Sequence, residues 1–226
     1  MISLRRPVIA TLIAAVMLCV PVGAGAVTPK TPFAVGVNAH TQVAGVKMMV
    51  AMGATWIRGD AHWSDIETTR GTYDFARTDA FISNATSLGL KVYLNLSGTP
   101  AWASASGRYQ AVPSDTKAWP AFVRAMALRY GSRVAAWGVW SEPNISQFWD
   151  GSAADYYRAI LRPAHTAINA VSKKYIVAGP DVAMTPTIDP RPFLAALRKP
   201  VRQHRGIVVG ATASESGDPL RALTHL

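Results

Sequence analysis

The sequence predicts an α/β protein whose parallel strands form part of an eight-stranded β/α barrel. Short apolar runs alternate with segments of helical period, and the starts of the runs lie 22 to 44 residues apart, which leaves room for a helix and two loops. Polar residues collect where the runs end, as at the rim of a barrel. An open, dinucleotide-binding sheet is the competing arrangement, but it should show a Gly-rich turn after a strand, and none of these runs has one.

Five apolar runs are expected to be strands: residues 33–38, 55–60, 90–97, 134–141 and 175–180. Their carboxyl ends carry the polar residues Asn38, His40, Arg58, Asp60, Asn95, Ser97, Ser141, Glu142 and Asp181. Because parallel strands share one edge of a sheet, these side chains should meet at one rim.

Four stripes of apolar residues at helical spacing lie between these runs, at residues 43–50, 81–88, 119–130 and 157–171. Gly53 and Gly89 are well placed to end the first two helices. Ser152 and Asp155 have the spacing of a capping box, which predicts that the fourth helix opens there.

Residues 1–26 have the pattern of a secretory signal. A basic pair, Arg5 and Arg6, precedes an apolar stretch, and Ala24 and Ala26 form a small-x-small cleavage site. The sequence therefore predicts a secreted or periplasmic protein with no membrane span once the signal is removed. Cys19, the only cysteine, lies in this segment, so no disulfide is expected in the mature chain.

The net charge of +10 falls to +8 without Arg5 and Arg6. The basic residues are scattered along the chain, which argues against nucleic acid as a partner. No cofactor or metal site is predicted.

Glu142 is the first candidate for chemistry. It follows an apolar run in "WGVWSEPN", and Pro143 cannot donate a ladder hydrogen bond, so the strand should stop at this carboxylate. We expect Trp140 and Trp149 to supply apolar walls, which would raise the pKa of the carboxyl group as a general acid requires.

The motif "WGVWSEPN" resembles strand four of the retaining glycoside hydrolases of clan A, especially the β-xylosidase-like and cellulase-like families. "ATWIRGDAHWSDIETTRGTYDF" and "GLKVYLNLSGTPAWAS" resemble strands two and three of that clan with the loops that follow them. "FWDGSAADYYRAILRPAHTAI" and "YIVAGPDVAM" resemble its fourth helix and fifth strand. The resemblance covers residues 33–184 and implies a TIM barrel that binds an oligo- or polysaccharide.

The resemblance also implies roles for single residues. Glu142 falls on the general acid/base, and Arg58 on an arginine that supports the nucleophilic glutamate, the alternative for Arg58 being a solvated charge. Ser141 is a departure, because the clan usually has Asn there to bind the sugar 2-hydroxyl. The remaining positions assigned to sugar binding are Asn38, His40, Trp63, Trp102, Asn144 and Trp149. For the three tryptophans core packing is an equal alternative, and for His40 a structural role is the simpler one.

A retaining hydrolase needs a second carboxylate, which in the clan ends strand seven. Only five strands are predicted here, within a family-like segment 27–197, and the tail 198–226 shows no family character. We therefore expect a truncated barrel whose tail is translated out of frame. The run 207–211 would be strand six at best, and Glu215 after it is a poor candidate for the nucleophile because its neighbours are typical of a loop.

The function predicted on this basis is an exported glycoside hydrolase-like protein for β-linked sugars, inactive for lack of its nucleophile. The alternative is a non-catalytic carbohydrate-binding remnant or a non-functional fragment.

Overall fold

Six parallel strands form one sheet in the computed structural model, which describes residues 36–38, 45–185, 187–202 and 207–213. These residues all fall within the larger compact unit of the chain, Ala34–Leu226. The strands are β1 (Gly36–Asn38), β2 (Trp56–His62), β3 (Lys91–Ser97), β4 (Val134–Val139), β5 (Ile176–Met184) and β6 (Ile207–Ala213).

The order of the strands identifies the architecture. Neighbours in the sheet are consecutive in the chain, from β1 to β6, and every pair is parallel. A doubly wound sheet reverses its order at a switch point, whereas a barrel adds each strand beside the last. The sheet is therefore part of a β/α barrel, and the predicted series of five β/α units is confirmed.

Helices connect the strands and cover one face of the sheet. They are α1 (Val46–Ala51), α2 (Trp63–Ile66), α3 (Ala76–Ser87), α4 (Ala118–Tyr130), α5 (Ala153–Asp155), α6 (Arg162–Val171) and α7 (Arg191–Arg202), and the π-helical segment Tyr156–Leu161 joins α5 to α6. The predicted capping box is present, because Ser152 Oγ accepts from the Asp155 amide at 3.1 Å and the Ser152 amide donates to Asp155 at 3.0 Å.

Alternate residues of β2 show how the sheet divides the protein. Ile57 and Ala61 are buried on the helix-covered face, where Phe81 of α3 packs against Gly59. Arg58, Asp60 and His62 lie on the opposite face and are partly exposed. Since side chains alternate along a strand, the apolar core lies between sheet and helices, and the polar groups line the inside of the barrel.

The last two elements lie partly or wholly in the segment assigned to the tail. Helix α7 continues past Leu197 to Arg202, and β6 follows it within the segment assigned to the tail. The run at 207–211 is therefore a strand, paired with β5 from Val177 to Met184. β5 itself extends four residues beyond its predicted end, to Met184.

Several predictions fall outside the described residues: the signal segment 1–26, His40 and Glu215. Within the part of the chain that the structure describes, no helix is long and apolar enough to cross a bilayer.

Candidate active site

The carboxyl ends of β1 to β4 and their loops surround a cleft of about 530 Å³. It is lined by Asn38, Arg58, Asp60, His62, Ser97, Tyr109, Ser141, Glu142, Gln147 and Phe148. Four of the residues predicted from the sequence as site residues therefore meet here, namely Asn38, Arg58, Ser141 and Glu142.

The chain turns sharply at Glu142. β4 ends at Val139, two residues earlier than predicted, and Trp140 and Glu142 both adopt left-handed backbone conformations, with φ of 66° and 53°. Such conformations are costly for residues other than glycine and persist where surrounding bonds enforce them. The Glu142 amide donates to the Asp181 carbonyl at 2.6 Å, and the Trp140 amide to the Leu96 carbonyl at 2.8 Å. The fold thus holds the glutamate at the rim against the local backbone preference.

Arg58 connects the strands beneath the cleft. Its Nη2 donates to Ser141 Oγ at 3.0 Å and lies 3.5 Å from Asp181 Oδ2 and 3.4 Å from Asp60 Oδ1. The Arg58 side chain is only 13% exposed, so the alternative of a solvated charge does not apply. Its Nε is buried and has no hydrogen-bond partner among the described residues.

Asp181 is the buried member of this network. It is 4% exposed and accepts a hydrogen bond of 2.7 Å from the Tyr93 hydroxyl. Tyr93 fits there because residue 138 is glycine, as a Cβ at that position would lie 2.7 Å from the tyrosine ring. Burial raises the pKa of Asp181 above its ordinary value, although Tyr93 and Arg58 favour the charged form.

This pKa shift predicts the effect of Asp181→Asn. The folded protein holds the Asp181 proton more tightly than the unfolded chain does, so ionisation costs stability as the pH rises from the ordinary value near 3.8 through the raised native value. The full cost is present once the pH lies above the raised native value. At neutral pH we expect the free energy of unfolding of Asp181→Asn, measured in urea, to be within about 1 kcal/mol of the wild-type value or above it. On acidification the variant should become less stable relative to the wild type.

Asp79→Asn is the matched control, because the pKa of Asp79 is shifted in the opposite direction. The hydrogen bond from Arg129 lowers the pKa of Asp79, so its contribution is present above the unfolded value and is lost as the pH falls. An Asp181→Asn variant that behaved like Asp79→Asn would contradict the predicted cost of burial.

The tryptophans predicted to contact sugar pack elsewhere. Trp63 is 0% and Trp149 2% exposed, so in this structure neither ring offers a face to a ligand, and the core-packing alternative describes both. Trp102 is partly exposed, packs edge-on against Trp63 and donates to the Glu67 carbonyl at 2.7 Å. Trp140 is also fully buried. The aromatic residues that line the cleft are Tyr109 and Phe148 instead of the expected Trp140 and Trp149.

Asn144, predicted to bind sugar, is not among the residues that line the cleft, and its amide group is already paired. Its Nδ2 donates to the Ala183 carbonyl and its Oδ1 accepts from the Ala183 amide, both at 2.9 Å. The side chain therefore joins the loop after β4 to β5, which is a structural role.

Sequence reasoning missed His62, Tyr109, Gln147 and Phe148 as cleft residues. A signal for His62 was present, because it follows Arg58 and Asp60 at the two-residue period of one strand face. Tyr109, Gln147 and Phe148 lie in loops, where no such period exists. Among the described residues, no three His, Cys, Asp or Glu side chains are grouped as metal ligands.

Comparison with known proteins identifies the family of this chain and shows similar folds. The model of glycosyl hydrolases family 39 matches residues 33–198. A family 39 β-xylosidase from Caulobacter crescentus is similar at 21% identity and a TM-score of 0.57, over 81% of this chain and 46% of that one. Xylanase XynB from Paenibacillus barcinonensis is similar at 16% identity and a TM-score of 0.61, over 84% of this chain and 62% of that one.

A third similar structure is a family 39 glycoside hydrolase from Bacteroides cellulosilyticus WH2, with 20% identity and a TM-score of 0.54, over 64% of this chain and 30% of that one. The chain thus spans less than two thirds of the length of each of these proteins.

Proposed function

Because this chain belongs to glycosyl hydrolases family 39, we propose that it is an exported protein that acts on the O-glycosyl bonds of β-linked sugars, with Glu142 as general acid/base. The observation that carries this proposal is the position of Glu142. A backbone held in a strained turn by Asp181 and Leu96 presents this carboxylate in the cleft at the carboxyl ends of the strands, where barrel enzymes build their active sites.

The proposed substrate is a β-linked oligosaccharide of the xylose type. Two of the similar structures are a β-xylosidase and a xylanase. The cleft is consistent with a sugar ligand, because it combines hydroxyl, amide, imidazole and carboxylate groups with the rings of Tyr109 and Phe148. Export is proposed from the signal-like pattern of residues 1–26.

In the proposed mechanism, Glu142 protonates the leaving oxygen and afterwards activates water. Ser141 stands where the family usually has Asn, and its Oγ already accepts a hydrogen bond from Arg58. Its hydroxyl proton remains available for a sugar hydroxyl, although the side chain is shorter than Asn. We propose that this contact to the 2-hydroxyl is weaker here.

The second carboxylate that a retaining mechanism requires limits the proposed activity. Retaining hydrolysis needs a second carboxylate about 5–5.5 Å from the first. The other carboxylate on the described cleft surface is Asp60, which is ion-paired with Arg58 at 3.4 Å and accepts from Asn95 at 3.2 Å. Because this pairing weakens Asp60 as a nucleophile, we propose that the 226 residues bind sugar but turn it over slowly. This observation also supports the alternative of a non-catalytic carbohydrate-binding protein.

Binding and turnover test the proposal together. We expect the 226-residue protein to bind xylotriose in a calorimetric titration and to hydrolyse aryl β-xyloside and aryl β-glucoside at rates close to background. Glu142→Gln should retain binding within a few-fold, because the amide keeps the shape of the carboxyl group.

Asp150→Asn, which changes an exposed loop carboxylate, is the matched control and should resemble the wild type in both assays. Clear wild-type turnover that Glu142→Gln abolishes would contradict the expected inactivity and support the role of Glu142. If none of the β-linked sugars bound, the proposed function itself would be wrong.

A further inference from the structure

Three side chains form a closed triangle at one wall of the cleft. The Tyr109 hydroxyl lies 2.8 Å from His62 Nδ1 and 2.9 Å from Ser97 Oγ, and Ser97 Oγ lies 3.2 Å from the same Nδ1. His62 ends β2, Ser97 ends β3 and Tyr109 comes from the loop after β3. Nε2 of His62 makes no hydrogen bond to the described residues, although His62 lines the cleft.

The loop that carries Tyr109 is fixed at this residue and two residues after it. The Thr99 amide donates to the Tyr109 carbonyl at 2.8 Å, and Thr99 Oγ1 donates to the Ala111 carbonyl at 2.6 Å. Gly98 adopts a φ of 83°, and a Cβ at this position would lie 2.1 Å from the tyrosine ring. The backbone therefore brings Tyr109 against β3 and sets the position of its hydroxyl group.

The two shortest contacts of the triangle favour one tautomer of the imidazole. Ser97 is 2% exposed and its hydroxyl has no other partner among the described residues, so its proton should be donated inside the triangle. Donation to Tyr109, at 2.9 Å, leaves the Tyr109 proton 2.8 Å from Nδ1 of His62. This arrangement runs from Ser97 to Tyr109 to His62 and requires that Nδ1 carries no proton.

We propose that Tyr109 and Ser97 are positioning residues that hold His62 as its Nε2–H tautomer, so that the cleft presents a fixed N–H donor to a hydroxyl oxygen of the bound sugar. The sugar part of this inference rests on the proposed function, whereas the tautomer does not. A fixed donor would select sugars that place an oxygen opposite it, because a ligand without that oxygen leaves the N–H unpaired.

The chemistry of Tyr109 agrees with this direction of donation. Burial raises the pKa of Tyr109 to about 12, so the phenol keeps its proton throughout the neutral range and remains a donor. A hydrogen bond between Nδ1 and a neighbouring group is the usual way in which proteins select the tautomer of a histidine.

Nitrogen-15 NMR of the imidazole tests the tautomer without any sugar. In mildly alkaline buffer, where histidines are neutral, we expect the His62 nitrogen shifts of the wild type to report the Nε2–H form alone. The double variant Ser97→Ala/Tyr109→Phe removes both hydroxyls and should give a mixture of the two tautomers, while Tyr73→Phe, a tyrosine outside the cleft, should leave the wild-type shifts unchanged. A wild type with Nδ1–H, or with the same mixture as the double variant, would overturn the proposal.

Binding of xylotriose tests the donor. His62→Leu should weaken binding by roughly 3- to 10-fold, as expected for one lost hydrogen bond. His62→Gln places an amide N–H near the same point and should recover most of this loss. Unchanged affinity in His62→Leu would contradict the donor role. If the wild type did not bind xylotriose, the proposed sugar function would fail, whereas the NMR result would still decide the tautomer.

Discussion

Replacing Trp63 by alanine is expected to lower the free energy of unfolding by about 3–5 kcal/mol, as for other fully buried tryptophans. The ring is 0% exposed and contacts Trp102, Trp119 and Phe122 at centroid distances of 5.6 to 5.8 Å. Its Nε1 also donates at 2.6 Å to Glu67, which is itself 3% exposed. The variant would therefore leave both a cavity and a buried carboxylate oxygen without its donor.

Urea unfolding followed by circular dichroism measures this loss. Trp56→Ala is the matched control, because Trp56 is a partly exposed tryptophan of β2, the strand that directly precedes Trp63, and a clearly smaller loss is expected there. The opposite result, in which Trp63→Ala weakened sugar binding but left stability unchanged, would restore Trp63 as a sugar-binding residue and contradict its assignment to the core.

Replacing Arg58 by alanine is expected to lower the free energy of unfolding by a similar amount, about 3–5 kcal/mol, for an electrostatic reason. Arg58 lies between Asp60 and Asp181, whose side chains are 10% and 5% exposed. Without the guanidinium group these two carboxylates would remain in a poorly solvated site and would lose the charge of Arg58 beside them. Removal of one partner from a buried ion pair is costly because the remaining charge is neither solvated nor paired.

Two further variants separate this explanation from a simple loss of packing. The double variant Arg58→Ala/Asp181→Asn should be more stable than Arg58→Ala alone, because the second change removes one of the uncompensated charges. Arg70→Ala, which breaks an exposed pair with Asp115, should have a much smaller effect in the same unfolding assay. If Arg58→Ala and Arg70→Ala were equally mild, the buried network would not contribute as described.

Much of the scaffold could be predicted from the sequence. The alternation of apolar runs with helical stripes predicted the order of β1 to β5 and the helices between them, and the spacing of Ser152 and Asp155 predicted the cap of α5. These signals are local, because each depends on the period of one element or on a contact between residues three apart. The position of Glu142 at the rim of the sheet follows from the same kind of signal.

The contacts within the site were decided by the tertiary structure. Arg58 and Asp181 are 123 residues apart in the chain, and Tyr109 and His62 are 47 apart, so no local period reports that they meet. The sequence does not distinguish a tryptophan in a core from a tryptophan at a sugar subsite. For Trp63, only the packing of α4 against the ring shows that it belongs to the core.

The sequence by itself determined that this protein alternates strands with helices and ends its fourth strand near a carboxylate. The tertiary structure decided that Trp140 and Glu142 adopt left-handed conformations, that Asp181 is buried beneath Glu142, and that Tyr109 closes one wall of the cleft. The physical reason is that backbone period and capping are properties of neighbouring residues. The identity of a hydrogen-bond partner, the burial of a charge and the cost of a strained turn depend instead on groups that distant parts of the chain bring together.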